Sequence, residues 1–166
     1  MRCSSSRLKR LAWWVASCPK KGDFLTSTEK NKALVRRFFE EVFNKGNLAV
    51  LDELLPDDYI QHSVFGIPSG REAVKQLFAA MGAAFPDAQY TIEDMVAEGD
   101  KVVVRGVVLG THKGAFQGIP ATGKQITMSG IDIFRIVDDK LVEHWDAVDQ
   151  LGMLQQLGVV PAPGQG

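Results

Sequence analysis

The texture of the chain changes at Pro86, and that break constrains the fold more than any other feature. Before it, apolar residues recur at helical spacing: Leu34, Val35, Phe38, Phe39, Val42 and Phe43 in one run, Val74, Leu77, Phe78 and Met81 in another. After it, apolar and polar residues alternate with the two-residue period of strands. Four strands are predicted, at about Gln89–Glu98, Lys101–His112, Lys124–Val137 and Lys140–Asp149. Gly99-Asp100 and Asp138-Asp139 read as hairpin turns. Gly114–Gly123 reads as a longer loop with an exposed-looking Phe116. Helices first and an antiparallel meander after give an α+β domain whose sheet curls over the helices to leave a pocket.

Local signals refine the helices. Thr26-Ser27-Thr28-Glu29 and Ser69-Gly70-Arg71-Glu72 both have capping-box spacing. Asn47 can cap a short helix over Leu48–Leu55, closed by Pro56. Tyr59-Ile60-Gln61-His62 reads as a short extended piece, and a last helix, Leu151–Leu157, precedes a Pro/Gly tail.

At 166 residues the chain is long enough for one domain with a proper core. Its formal charge of −1 conceals an asymmetry: six Lys and Arg and no acid fall in the first 22 residues, so the remainder carries −7. An acidic main domain is poor material for binding nucleic acid, which relies on clustered Lys and Arg. Both cysteines, Cys3 and Cys18, lie in the same basic stretch, which leaves the main domain without a thiol nucleophile. The leader's apolar run, Leu11 to Ala16, is six residues. A signal-peptide core needs roughly seven to fifteen and a membrane span roughly twenty. The expected organisation is a basic leader over 1–25, a domain over 26–160 and a flexible tail over 161–166. The functional protein is expected to begin near Leu25 and to be cytoplasmic, with export through the leader as the alternative and no membrane partner.

The chemistry concentrates in Glu143-His144-Trp145-Asp146-Ala147-Val148-Asp149. Ionisable side chains alternate there with apolar ones in a stretch that otherwise reads as a buried strand. A buried unpaired charge costs several kcal/mol, so such residues must be satisfied or used. No phosphate-cradling glycine loop and no metal-ligand spacing such as His-x-x-x-His occurs, so no metal or cofactor is expected.

Several segments together resemble a known family. They are Val35-Arg36-Arg37-Phe38-Phe39, Asp57 with Tyr59-Ile60-Gln61-His62, and Gly114-x-Phe116-x-Gly118-x-Pro120-x-Thr122-Gly123-Lys124. Phe134-Arg135-Ile136, Glu143-His144-Trp145-Asp146, Asp149 and Leu154-Gln155-Gln156-Leu157-Gly158 complete the set. Over about residues 28–160 the chain resembles the SnoaL-like polyketide cyclases, which share the nuclear transport factor 2-like fold, an α+β cone with a deep pocket. The resemblance implies intramolecular aldol ring closure of a polyketide ester without metal or cofactor. Its His-x-Asp pattern at the end of the last long strand maps onto His144 and Asp146, with Asp146 as acid/base. Two positions depart from the family: Asp132 stands where the cyclases place a histidine, and Asp139 where the turn is commonly Gly.

Parity of the last hairpin decides which side chains share a face. A three-residue loop, Asp138 to Lys140, pairs Val137 with Leu141 and sets Asp132 opposite Asp146. Met128, Phe134, Ile136, Val142, His144 and Val148 then share that face. A two-residue loop would group Asp132 with Glu143, Trp145 and Asp149 instead, because a one-residue slip flips every side chain. The family's usual Gly at 139 suits the longer loop. Two carboxylates facing each other in an apolar pocket cannot both ionise cheaply, which suits a base.

The expected catalytic residues are therefore Asp146, Asp132 and His144, with His62, Met128, Phe134, Trp145 and Asp149 expected to bind substrate. Each also has a structural reading: Asp146 can end a strand, Asp149 can cap the last helix, His144 and His62 can be satisfied core histidines, and Trp145 can pack. The expected partners are a small apolar or polyketide-like molecule and a second copy of the chain. The homodimer would form through an outer sheet face of Ile131, Ile133, Leu141 and Trp145. Another acid/base enzyme (isomerase, dehydratase or epoxide hydrolase) and a non-catalytic ligand-binding protein are the alternatives.

Overall fold

The computed structural model describes residues 27–161 and Gly164. The basic leader, Thr26 of the first capping box and most of the tail lie outside the described residues.

The first helix, α1 (Ser27–Arg37), runs directly into a π-helical segment, Phe38–Asn44. This segment buries Phe38, Phe39 and Val42, and the chain turns away after it at Gly46, whose φ of +67° suits glycine. A 3₁₀ turn, Leu48–Val50, then leads into α2 (Leu51–Leu54). The Asn47 side chain does not cap it, contrary to expectation. The next helix, α3 (Arg71–Ala84), starts after Gly70 with no side-chain cap. The second capping box does not form because the Ser69 hydroxyl instead accepts from the Gln61 N–H at 3.1 Å.

The strands are β1 (Ile60–His62), β2 (Gln89–Glu98), β3 (Lys101–Thr111), β4 (Gln125–Val137) and β5 (Lys140–Val148), followed by α4 (Gln150–Leu157). They form one sheet in the order β1-β5-β4-β3-β2. The last four strands are the expected meander, while β1 joins its edge parallel to β5 and makes the sheet mixed. The architecture is the α+β cone that the resemblance implies, with helices over the concave face of an open, curved sheet.

The β4–β5 hairpin corrects one expectation and keeps its consequence. Its loop is two residues, with Asp138 and Asp139 both left-handed at φ 48° and 57°, the geometry of a type I′ turn. Val137 pairs with Lys140 and Ile136 with Leu141, not Val137 with Leu141. A bulge at Val142 then adds one residue to β5 and restores the expected register, so that Phe134 faces His144 and Asp132 faces Asp146. Leu141 is consequently buried in the core and does not belong to the outer face assigned to it. Ile131 is exposed there, with Ile133 and Trp145 partly so.

Two apolar clusters fill the cone. One joins Phe38, Phe39, Leu51, Leu54, Val102, Val104, Phe134 and Leu141 at the closed end. The other joins Phe85, Val108, Phe116, Ile126, Met128, Met153 and Leu157. Phe116 is buried in this second cluster rather than exposed, because its loop folds back on Phe85, ring centroids 5.6 Å apart. Leu77, Phe78 and Met81 of α3 stay only partly buried because they face a cavity between the clusters.

Candidate active site

The cavity has two adjoining chambers, with Phe43, Phe65, Phe78, Met81, Val108 and Met128 lining both. The outer one, about 260 Å³, is walled by aromatics and methionines, with Asn44 and Lys45 supplying its polar side chains. The inner one, about 80 Å³, is where polar groups converge: Tyr59, Gln61, Ser63, Tyr90, Asp132, His144 and Asp146. No Lys or Arg lines the inner chamber.

Strand pairing brings these groups together. Asp132 on β4 lies opposite Asp146 on β5, two residues from His144, and Gln61 on β1 lies beside His144. Asp132 is buried, and both its oxygens are engaged. Its Oδ1 is 3.0 Å from His144 Nε2, and its Oδ2 accepts from the Tyr90 hydroxyl at 2.7 Å. The other ring nitrogen, Nδ1, meets the Gln61 amide at 2.9 Å. With the imidazole proton on Nε2, Asp132 accepts it and the Gln61 NH₂ donates to Nδ1. The ring also stacks on Phe134, centroids 4.5 Å apart. Asp146 is less confined. Its Oδ1 accepts from the Val64 N–H at 2.9 Å, and Oδ2 has no hydrogen-bond partner among the described residues.

Two tyrosines complete the polar end. Burial, then the charge on Asp132, pushes the Tyr90 phenol well above its ordinary range, so it remains a donor. Tyr59 is raised in the same direction, by burial first and then by Asp132 and Asp146. Tyr90, Gln61, Phe65 and Phe116 were not assigned to the site from sequence. For Tyr90 a signal was present: Gly106 and Gly130 sit in the middle of long strands, where glycine often marks a close approach.

The other expected site residues divide. Met128 lines both chambers. Phe134 supports His144 from the core rather than lining a chamber. His62 and Trp145 lie on the outer face, because β1 and β5 alternate and their neighbours Gln61, His144 and Asp146 point inward. There the two rings stack 5.1 Å apart, and His62 Nε2 meets Glu143 Oε1 at 2.9 Å. Arg135 Nε donates to the same carboxylate at 2.8 Å. His62, then Arg135, hold Glu143 below its ordinary value of 4.5. Asp149 caps α4, with Oδ1 accepting from the Gly152 N–H at 2.9 Å, and lines neither chamber. Among the described residues no three His, Cys, Asp or Glu side chains converge as a metal ion requires.

Comparison with known proteins places this geometry in a lineage. The family model for the SnoaL-like polyketide cyclase matches residues 33–157, from α1 to the end of α4. The nogalonic acid methyl ester cyclase of Streptomyces nogalater is 33% identical over 119 residues, covering 70% of this chain and 89% of that protein. The aklanonic acid methyl ester cyclase DauD of Streptomyces sp. (strain C5) is 31% identical over 129 residues, covering 75% and 80%. Among solved structures, TsrD from Streptomyces laurentii aligns with a TM-score of 0.74 at 31% identity, covering 81% of this chain and 99% of that one. The match runs through every strand that builds the inner chamber, and the chain belongs to the SnoaL-like polyketide cyclase family.

Proposed function

We propose that the protein is an acid/base cyclase that closes a ring in a polyketide ester by an aldol reaction, with Asp146 as the base. The observation that carries the assignment is the difference between the two facing carboxylates. Asp132 has a donor on each oxygen, whereas Asp146 is anchored through Oδ1 and keeps Oδ2 free at the inner chamber. A base needs one oxygen available and no cation holding it, and no Lys or Arg lines this chamber.

In the proposed reaction Asp146 takes a proton from a carbon next to a carbonyl. The resulting enolate carbon attacks a second carbonyl of the same molecule, forming a carbon–carbon bond. The alkoxide produced takes the proton back from protonated Asp146, so the reaction is balanced without an added reactant. The aromatic and methionine walls of the outer chamber suit the apolar body of such a substrate. The curated relatives are named for methyl ester cyclisation, and aklanonic and nogalonic acid methyl esters are the substrates to try first.

The test compares Asp146→Asn with Asp149→Ala on those esters. Asp146→Asn keeps size and should fold normally yet lose about 10²–10⁴-fold in turnover. Asp149→Ala removes the α4 cap and should cost about 1 kcal/mol of stability while folded molecules keep turning over. Turnover by Asp146→Asn within a few-fold of the parent protein would sink the assignment.

A further inference from the structure

Tyr90 is held far more firmly than a wall residue needs to be. Its backbone is clamped from both sides by one side chain: Asn44 Oδ1 accepts from the Tyr90 N–H at 2.7 Å, and Asn44 Nδ2 donates to the Tyr90 carbonyl at 3.1 Å. Its ring stacks on Phe39, centroids 3.9 Å apart and 18° from parallel. Its phenol end also lies against Gly106, where an added Cβ would sit 2.4 Å from the phenol carbons. Because Gly106 has no side chain, a tyrosine on β2 can reach across β3 and set its hydroxyl on Asp132 of β4.

The charges around that hydroxyl explain why this matters. The titratable groups of the inner chamber are Tyr59, Tyr90, Asp132, His144 and Asp146, so His144 is the only one that can become a cation. Without a second donor, the whole hydrogen-bond demand of the buried Asp132 carboxylate would fall on the His144 ring. Loss of that donor would loosen the arrangement in which Nε2 donates to Asp132 and Nδ1 accepts from Gln61. A hydrogen bond from the phenol meets the demand of Asp132 without supplying charge.

We propose that Tyr90 is a positioning residue of this site, which acts through Asp132 to fix the His144 ring with a proton on Nε2 and Nδ1 on the Gln61 amide. Its effect on turnover rests on the acid/base reading given above; its effect on the imidazole does not. Asn44, Phe39 and Gly106 are the supports that aim it.

The test reads the His144 ring by nitrogen-15 NMR near neutral pH, in free protein, for Tyr90→Phe and Gly106→Ala. The first change keeps the ring and its stacking and removes only the hydroxyl. The second keeps the hydroxyl and pushes it off Asp132, so it decides the matter should Tyr90→Phe fail to fold. In both variants the His144 ring should lose the signature of a proton fixed on Nε2. With aklanonic acid methyl ester, kcat should fall about tenfold, the size of one hydrogen bond to a charged group, with KM within twofold. An unchanged ring signature in the folded variants overturns the proposal, as does an altered signature with unchanged kcat. Because the ring is read without substrate, this result and that of Asp146→Asn can fail separately.

Discussion

Strand β5 contributes one member to a histidine–carboxylate pair on each of its faces, and the two are nearly matched in length. His144 meets Asp132 inside the cone at 3.0 Å, and His62 meets Glu143 outside it at 2.9 Å. They differ in solvent and in the third partner. The inner side chains are each 11% exposed, and the third group is the neutral Tyr90 hydroxyl. Outside, His62 is 46% exposed and Arg135 supplies a permanent cation to Glu143. Contact distance alone therefore says little about function. A carboxylate that arginine also holds keeps a cation if the histidine is lost, whereas a buried one beside a phenol depends on where the histidine's proton sits.

Three measurements would break or sharpen this contrast. The largest effect is expected from His144→Leu, which leaves Asp132 buried with Tyr90 as its one remaining partner. Urea unfolding should show a loss of about 3–5 kcal/mol, the usual consequence of halving a buried pair. A loss below about 1 kcal/mol would put the inner pair in the same class as the outer one. His62→Ala should cost no more than about 1 kcal/mol in the same experiment, since Arg135 stays on Glu143 and the site is open to water. A larger loss would mean that the stacking on Trp145 anchors β1.

The smallest effect is a pH dependence. The Glu143 carboxyl is held below its ordinary 4.5, so its contribution to stability is complete above that value and fades as pH falls through the lowered one. Any difference in melting temperature between the parent protein and Glu143→Gln should be full above the ordinary 4.5 and close as the pH falls through the lowered value. A gap that widens on acidification would reverse the sign argued here.

Strand limits were legible to within a residue or two, because alternation and turn residues are local signals and the sheet obeys them. The facing of Asp132 and Asp146 was also legible, though through a loop of the wrong length. The actual turn is one residue shorter, and Val142 bulges to compensate. Bulges of this kind leave little trace in composition, and Leu141 was placed on the wrong face for that reason. Tyr90 was harder to reach, since its partner lies two strands away and the contact depends on what Gly106 lacks. Ser69 illustrates the opposite failure: a sound local signal for a cap lost to a longer-range bond with Gln61. Parity grouped Trp145 correctly with the outer residues, while the site assignment drew it inward because of its place in the motif.

The bulge at Val142 separates the hairpin tip from the chemistry below it. Loss of one residue from the tip can be absorbed by straightening the bulge, because the chain then closes on a two-residue turn while Arg135 still faces Glu143. The tip can therefore shorten by one residue among descendants of this sequence while the facing of Asp132, His144 and Asp146 stays in step. In that sense the hairpin carries its own expansion joint, placed between the part of the surface free to drift and the part that is not.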